Sequence, residues 1–336
     1  MKPLPSRILL IRLSALGDIA MTAPIVRAYA QAHPDIHFIM ASAPLLAPLF
    51  QDLPNLQFEP INTKEYGGFL GPFRLFRRLR RLHPKAIFDL HRVLRSYAQS
   101  LLFFLCGTPV YALKKGRRAR KQLTRPQHKT LEPITSMMAR YEAVWLKAGF
   151  PDLQVRQAPP IQRKSSQNPV HQLGIAPFAK HDTKMWPLDK VEALIARLSQ
   201  SGKYHISLLG GGSKETAILS GWSQRYSHTE CVAGTLSFAQ ELALIGSLDL
   251  LLSMDSANMH FASFMGTPVI SIWGGTHPYT GFYGWRQDPQ NALQIDLDCR
   301  PCSVFGGKPC ARKDHFCLQQ ISTDTVIQKI EAFFHA

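Results

Sequence analysis

Strand-like apolar runs alternate with helical patterns along almost the whole chain, and that alternation leaves few folds open. "RILLIRLS" is a continuous apolar run, suited to a strand buried on both faces of a parallel sheet. After the small-residue turn "LSALGDIA", Ile25, Val26 and Tyr29 recur at helical spacing, with Thr22 as a cap and Pro24 inside the first turn. "HFIMAS" and "AIFDLH" read as further strands, the second leading into a helical "RSYAQSLLFFLCG", and "TPVYAL" adds another. Such repeating units build a doubly wound sheet.

From Arg156 to Val170 the pattern breaks: "RQAPPIQRKSSQNPV" has no apolar period and reads as a linker. The alternation then restarts with "HQLGIAPF", "YHISLLGGG", "LLLSMD" and "PVISIWGG" as strands. It closes on an amphipathic helix with Val326, Ile327, Ile330 and Phe334 on one face. A chain of 336 residues exceeds one ordinary core. The expected fold class is therefore α/β, two Rossmann-like doubly wound domains facing a central cleft. The first spans 1–160 and the second 171–320, with a C-terminal helix over 321–336 packing back toward the first domain.

No apolar run approaches the roughly 20 residues that span a bilayer. Arg12 interrupts the N-terminal apolar stretch, and Asp18 and a helical pattern follow, which argues against a signal peptide and for a cytoplasmic location. The formal charge of +16 predicts a polyanionic partner: nucleic acid, an anionic membrane surface or a phosphorylated substrate. Much of it sits in "FRLFRRLRRLHPK" (Phe73–Lys85) and "LKKGRRARKQLTRPQHK" (Leu113–Lys129), both in the N-terminal half. Solvated basic faces are the bland alternative. Late in the chain Cys299, Cys302, Cys310 and Cys317 cluster in "CRPCSVFGGKPCARKDHFC". A C-x-x-C pair with two more cysteines suits a zinc site, and reduced structural thiols fit the pattern too.

The most informative stretch is "LLLSMDSANMHFASFMGTPVISIWGGTHP". A buried strand delivers Asp255 and Ser256 to its carboxyl end, where open α/β sheets bind ligands. The helix that follows opens on small residues, Ser256 and Ala257, so its free N–H groups are accessible to a diphosphate, and His260 lies one turn on. Simple helix capping by Asp255 and Ser256 explains the same residues. "GGGSKE" (Gly210–Glu215) lacks the Gly-Lys-Ser/Thr of a phosphate loop and the dinucleotide fingerprint spacing, so it reads as a tight turn lining the cleft. "DLD" at Asp296–Asp298 imitates a metal-binding Asp-x-Asp and reads as incidental.

These stretches resemble glycosyltransferase family 9, the lipopolysaccharide heptosyltransferases. "DSANMHFASFMGTPVISIWGGTHP" is similar to the family's donor-site signature and "LSALGDIAMTAP" to its N-terminal one. "TKMWPLDK" is similar to its Lys-x-Trp-Pro segment, and the cysteine-bearing stretch to a tail segment of many members. The matches follow family order from Arg7 to about Ile321. The resemblance implies a GT-B architecture, with the acceptor on the first domain, an ADP-sugar on the second, and inversion without a metal or cofactor. It implies Asp18 as the base. It assigns the donor to Lys184, Asp255, Ser256, Ala257 and His260, with Thr276 as a further polar contact and Trp186 as packing that holds Lys184. Beside the resemblance, Lys180 reads as a phosphate contact and Glu215, on the glycine turn, as a contact to the donor ribose. The implied acceptor is lipid A bearing Kdo sugars, met by Arg92, Arg95 and Ser96, while the basic runs at Arg77–Arg81 and Lys114–Lys121 meet the anionic membrane.

Two departures stand out. Ala257 replaces the family's glycine, and Ala179 and Lys180 replace hydroxyl residues, which bears on the identity of the sugar nucleotide. A different nucleotide sugar or glycan acceptor within the family is one alternative. Nucleic acid is not among the implied partners, so a basic nucleic-acid-binding protein is the remote one.

Overall fold

A computed structural model describes residues 3–162 and 170–335; the part of the linker stretch over 163–169 lies outside the described residues. The chain divides into two compact units. The first carries a five-stranded parallel sheet of β1 (Arg7–Arg12), β2 (His37–Ser42), β3 (Leu56–Pro60), β4 (Ala86–Asp89) and β5 (Val110–Ala112), in the order β3-β2-β1-β4-β5. The central position of β1 explains its unbroken apolar run. Leu9 is flanked by Ile39 and Ile87, and all three are buried. Helices α1 (Leu16–Ala32), α2 (Gly71–Arg80) and α3 (Leu94–Leu105) lie between these strands. Leu75, Leu79 and Phe103 from α2 and α3 complete the core with Leu9, Ile11 and Ile87.

Helix α1 begins earlier than its apolar spacing suggested. Leu16 opens it, so Asp18 stands in its first turn. Thr22 is not a cap but a buried mid-helix residue whose hydroxyl donates to the Ile19 carbonyl at 2.7 Å, and Pro24 lies inside the helix.

The expected first domain of 1–160 is also corrected. Helix α4 (Arg117–Leu123) belongs with the second unit, as do all residues of Arg117–Ser136, and α5 (Met137–Lys147) returns to the first. Specific contacts hold the excursion. The Ile134 N–H donates to the Tyr279 carbonyl at 3.0 Å, and Lys129 Nζ to the Arg300 carbonyl at 3.0 Å. The Arg120 guanidinium sits 5.3 Å from the Phe282 ring centre. In turn, α5 stacks Trp145 on Tyr29 of α1 at 5.1 Å.

The second unit carries a six-stranded parallel sheet: β6 (His171–Ala176), β7 (Tyr204–Leu208), β8 (Thr229–Cys231), β9 (Leu250–Met254), β10 (Val269–Ile272) and β11 (Ala292–Leu293), ordered β11-β10-β9-β6-β7-β8. Its helices are α6 (Leu188–Gln200), α7 (Ser213–Arg225), α8 (Phe238–Ser247), α9 (Ala257–Met265), α10 (Phe316–Gln319) and α11 (Thr323–His335). Helix α11 packs on α6, and Val326, Ile327, Ile330 and Phe334 join the core of this sheet. Its apolar face is therefore buried within the second unit.

In each sheet the chain leaves a central pair of strands in opposite directions: β1 and β4 in the first, β6 and β9 in the second. The crevice beyond the carboxyl ends of such a pair is where open α/β sheets bind ligands. Among the described residues, no helix is long and apolar enough to cross a membrane.

Candidate functional site

In the first unit the turn after β1 places Asp18 within a cluster of polar groups. Arg12 Nη2 meets Asp18 Oδ2 at 2.7 Å, and the Tyr141 hydroxyl donates to Oδ1 at 3.3 Å. Arg12 is itself fixed, donating from Nη1 to the Leu90 carbonyl at 2.7 Å, with Tyr141 under its guanidinium. The carboxylate is thus oriented from below yet retains about a fifth of its side-chain exposure, 19%. At the end of β4, Asp89 is wholly buried and accepts from the backbone N–H groups of His91 and Arg92 and from the Ser100 hydroxyl. Those bonds hold the chain as it turns toward α3 and present His91 beside Ser14, 3.2 Å between Nε2 and Oγ.

Burial pushes His91 down to about 3, helped by the charges of Arg12, Lys115 and Arg95. The folded state holds the ring neutral while the unfolded chain protonates near 6.5, so the group's contribution to stability is complete above 6.5 and declines as pH falls toward 3. Thermal unfolding of His91→Gln should therefore vary less with pH between 6.5 and about 4 than that of the parent protein.

Arg92 and Arg95 lie at this mouth, Arg92 with its guanidinium 4.8 Å from the Tyr97 ring centre. Ser96 does not fit the expected acceptor role. It is wholly buried, and its hydroxyl closes the first turn of α3, accepting from the Val93 N–H and donating to the Val93 carbonyl, both at 3.1 Å. Arg12, His91 and Tyr141 were not singled out as site residues from the sequence. The interruption of an apolar strand by Arg12 was the one signal available.

The second unit assembles its own cluster beyond β6 and β9. Lys184 ends a short 3-10 turn, and its Nζ meets Asp255 Oδ2 at 2.9 Å. Thr276 is wholly buried and donates its hydroxyl to the same oxygen at 2.7 Å. Thr276 thus orients Asp255 and is not placed to touch a ligand directly, a correction to its expected role. Ser256 occupies the position before α9 in an extended conformation without a side-chain capping bond, its hydroxyl 3.2 Å from that of Ser253, and Ala257 is the first helical residue. The buried His260 follows one turn on. Lys180 is exposed in the loop after β6. Glu215 accepts from the Gly211 N–H at 2.7 Å and ties down the glycine turn ahead of α7. Trp186 is fully buried, as expected of a packing residue, and donates to the Ile321 carbonyl at 3.0 Å.

The cysteine segment buttresses this cluster. Cys302 N–H donates to the Gly275 carbonyl at 2.8 Å, and Thr183 donates to the Gly306 carbonyl at 2.7 Å. A Cβ on Gly274 would stand 2.5 Å from the Thr183 carbonyl oxygen, so only glycine admits that approach. Gly306 has φ +84°, and a Cβ there would lie 2.5 Å from Cδ of Lys184. Gly306→Ala should cost about 1 kcal/mol or more through backbone strain and displacement of Lys184, a drop of a few degrees in Tm. Cys299, Cys302, Cys310 and Cys317 line one small cavity with Thr183 and Gly275, and all four are free thiols. Burial, then the neighbouring thiols, push Cys302 up to about 11, so it stays protonated. Among the described residues no three side chains form a group arranged to hold a metal ion.

Each unit thus holds a cluster that combines a carboxylate locked by a cation with a strand end or helix start. The family profile of glycosyltransferase family 9 (heptosyltransferase) matches residues 73–307. Lipooligosaccharide heptosyltransferase 2 of Campylobacter jejuni is 24% identical over 331 residues, 94% of this chain and 95% of that protein. Among solved structures, Escherichia coli heptosyltransferase WaaC with ADP superposes with a TM-score of 0.69 at 18% identity, covering 97% of this chain and 99% of that one. A glycosyltransferase family 9 protein of Veillonella parvula reaches 0.72 at 16% identity, covering 98% and 97%. These structures share the α/β fold of two parallel-sheet domains, and the profile spans well over half of the sequence. The chain therefore belongs to glycosyltransferase family 9, the heptosyltransferase family.

Proposed function

We propose that the chain transfers a heptose from ADP-heptose to the Kdo-bearing lipid A inner core of lipopolysaccharide, with inversion and with Asp18 as general base. The observation that carries this reading is the clamped carboxylate in the first turn of α1, held by Arg12 and Tyr141 at the β1/β4 crevice. Glycosyl transfer needs a group that accepts the hydroxyl proton as the oxygen attacks, and charge that stabilises the departing diphosphate. In this scheme the acceptor O–H bond breaks toward Asp18, and its oxygen bonds to the anomeric carbon from the face opposite the phosphate. The carbon–oxygen bond to ADP breaks, and its electron pair leaves with the diphosphate. Direct displacement inverts the centre.

Lys184 and the free N–H groups at the start of α9 meet the diphosphate, with His260 one turn on and Lys180 near the same loop. Asp255 and Thr276 keep Lys184 in position. Glu215 contacts the donor ribose with the oxygen not given to Gly211. Arg12, Lys115 and Arg95, whose charges act on His91, together with Arg92 suit an acceptor carrying phosphates and carboxylates. The relatives' names support a lipopolysaccharide-type acceptor, since the Campylobacter protein is a lipooligosaccharide heptosyltransferase. The work would occur at the cytoplasmic face of the inner membrane, with the basic runs against anionic lipid.

Ala257, where the resemblance places glycine, favours a second reading in which the donor carries another sugar. Incubation with ADP-heptose and competing ADP-sugars on truncated core acceptors, followed by mass analysis, separates the two. Addition of a heptose mass, with ADP release that persists in chelator, is expected. Addition of a hexose or amino-sugar mass would retire the donor assignment, and no transfer from any ADP-sugar would retire the reading.

A further inference from the structure

Helix α3 has its polarity inverted. Its buried side chains are Ser96, Gln99, Ser100 and Phe103, three of them polar. Leu94, Tyr97, Leu101, Phe104 and Leu105 face solvent, with Leu94 86%, Phe104 66% and Leu105 71% exposed. Their spacing places them in one stripe along the helix. Each inward polar side chain makes a bond: Ser96 with the Val93 backbone, Gln99 Nε2 with the Pro72 carbonyl at 3.0 Å, and Ser100 with the buried Asp89 at 3.1 Å. Rotating α3 to hide the stripe would break those bonds and leave Asp89 short of a donor. The outward apolar face is therefore fixed by the interior.

A second patch adjoins it. The Gln99–Pro72 bond and the Phe76–Phe103 ring contact at 4.9 Å pin α3 to α2. The approach to α2 exposes Phe69, at 89%, with Leu70 and Phe73. From Phe69 to Cys106 the sequence holds seven arginines and one lysine against a single carboxylate, the buried Asp89. Exposed large apolar side chains set among cations and without surface carboxylates describe a face built for an anionic, partly apolar surface. A second copy of the chain fits poorly, because it would bring the same cations face to face.

We propose that α3 and the start of α2 form a docking face for an anionic lipid bilayer. Leu101, Phe104, Leu105 and Phe69 enter the headgroup and upper acyl region, while the arginines meet lipid phosphates. The inference rests on the reading of a lipid-linked acceptor, and it adds side chains that enter lipid to the electrostatic contact given above.

Co-sedimentation with phosphatidylethanolamine vesicles, with and without phosphatidylglycerol, tests it across a salt series. The parent protein should bind the phosphatidylglycerol vesicles and retain part of that binding at high salt. The double variant Leu101→Gln, Phe104→Gln should bind about tenfold more weakly or worse. Its unfolding midpoint and its turnover of a deacylated, water-soluble acceptor should match the parent's, since both side chains are exposed. Vesicle binding by the variant equal to the parent's would overturn the proposal. So would a parent dimer that the variant dissolves. If the parent binds vesicles as stated yet transfers no sugar to the soluble acceptor, the functional reading fails while the docking face stands.

Discussion

Asp18→Asn is expected to lower sugar transfer by roughly 10²–10⁴-fold, the usual contribution of a positioned general base. The amide keeps the shape of the carboxylate and can still accept from Arg12, but it cannot take up the acceptor proton. ADP affinity should be unchanged, because Lys184 and α9 belong to the other compact unit. The loss should therefore appear in kcat, with calorimetric titration of ADP as the control. A side effect is expected in stability. Arg12 is only 6% exposed, and neutralising its partner leaves a nearly buried guanidinium uncompensated. Comparing unfolding midpoints separates this from catalysis, since turnover per folded molecule is the relevant quantity. Full activity in the variant would remove Asp18 from the role of base.

Lys184→Ala should have the second large effect, and it should be felt twice. With the ammonium gone, Asp255 remains 6% exposed and keeps the Thr276 hydroxyl but no countercharge from Lys184, a situation that typically costs about 3–5 kcal/mol. ADP binding should weaken by about 10- to 100-fold, because one charge-assisted contact to phosphate is lost from a desolvated site. The paired change Lys184→Met, Asp255→Asn should recover much of the stability without restoring ADP affinity, which separates structure from binding. Denaturant unfolding and ADP titration read the two consequences independently. Unaltered ADP affinity in either variant would move the diphosphate elsewhere.

The two sheets were legible because central parallel strands are buried on both faces and must be apolar throughout, as β1 and β9 are. Three of the four edge strands were not, although the fourth, β5, was read from "TPVYAL". β3, β8 and β11 are "LQFEP", "TEC" and "AL", too short or too polar to announce themselves. Asp18, Lys184 and Asp255 were singled out from local motifs, and the structure places each of them in an ion pair. Their partners could not always be singled out. Tyr141 reaches Asp18 across 123 residues of sequence, and nothing near Tyr141 signals it. Ser96 illustrates the reverse error: a serine after a strand suits a ligand, but the same hydroxyl also suits a helix start, and here the helix uses it. The basic run that continues through Arg117–Lys121 looked like part of the first domain because charge carries no address. The backbone bond from Ile134 and the Phe282 and Phe305 rings around Arg120 decide its membership.

That excursion of Arg117–Ser136 has a practical corollary for anyone dissecting the protein. The polypeptide passes from one unit to the other three times, after Gly116, after Ser136 and after Ala158, so neither unit is a contiguous piece of gene. A fragment cut near residue 160 would carry the 20 residues of Arg117–Ser136, whose partners are on the other fragment, and that other fragment would bare Phe282, Phe305 and the Tyr279 carbonyl. Halves expressed separately should be poorly soluble, whereas co-expressed halves should recombine.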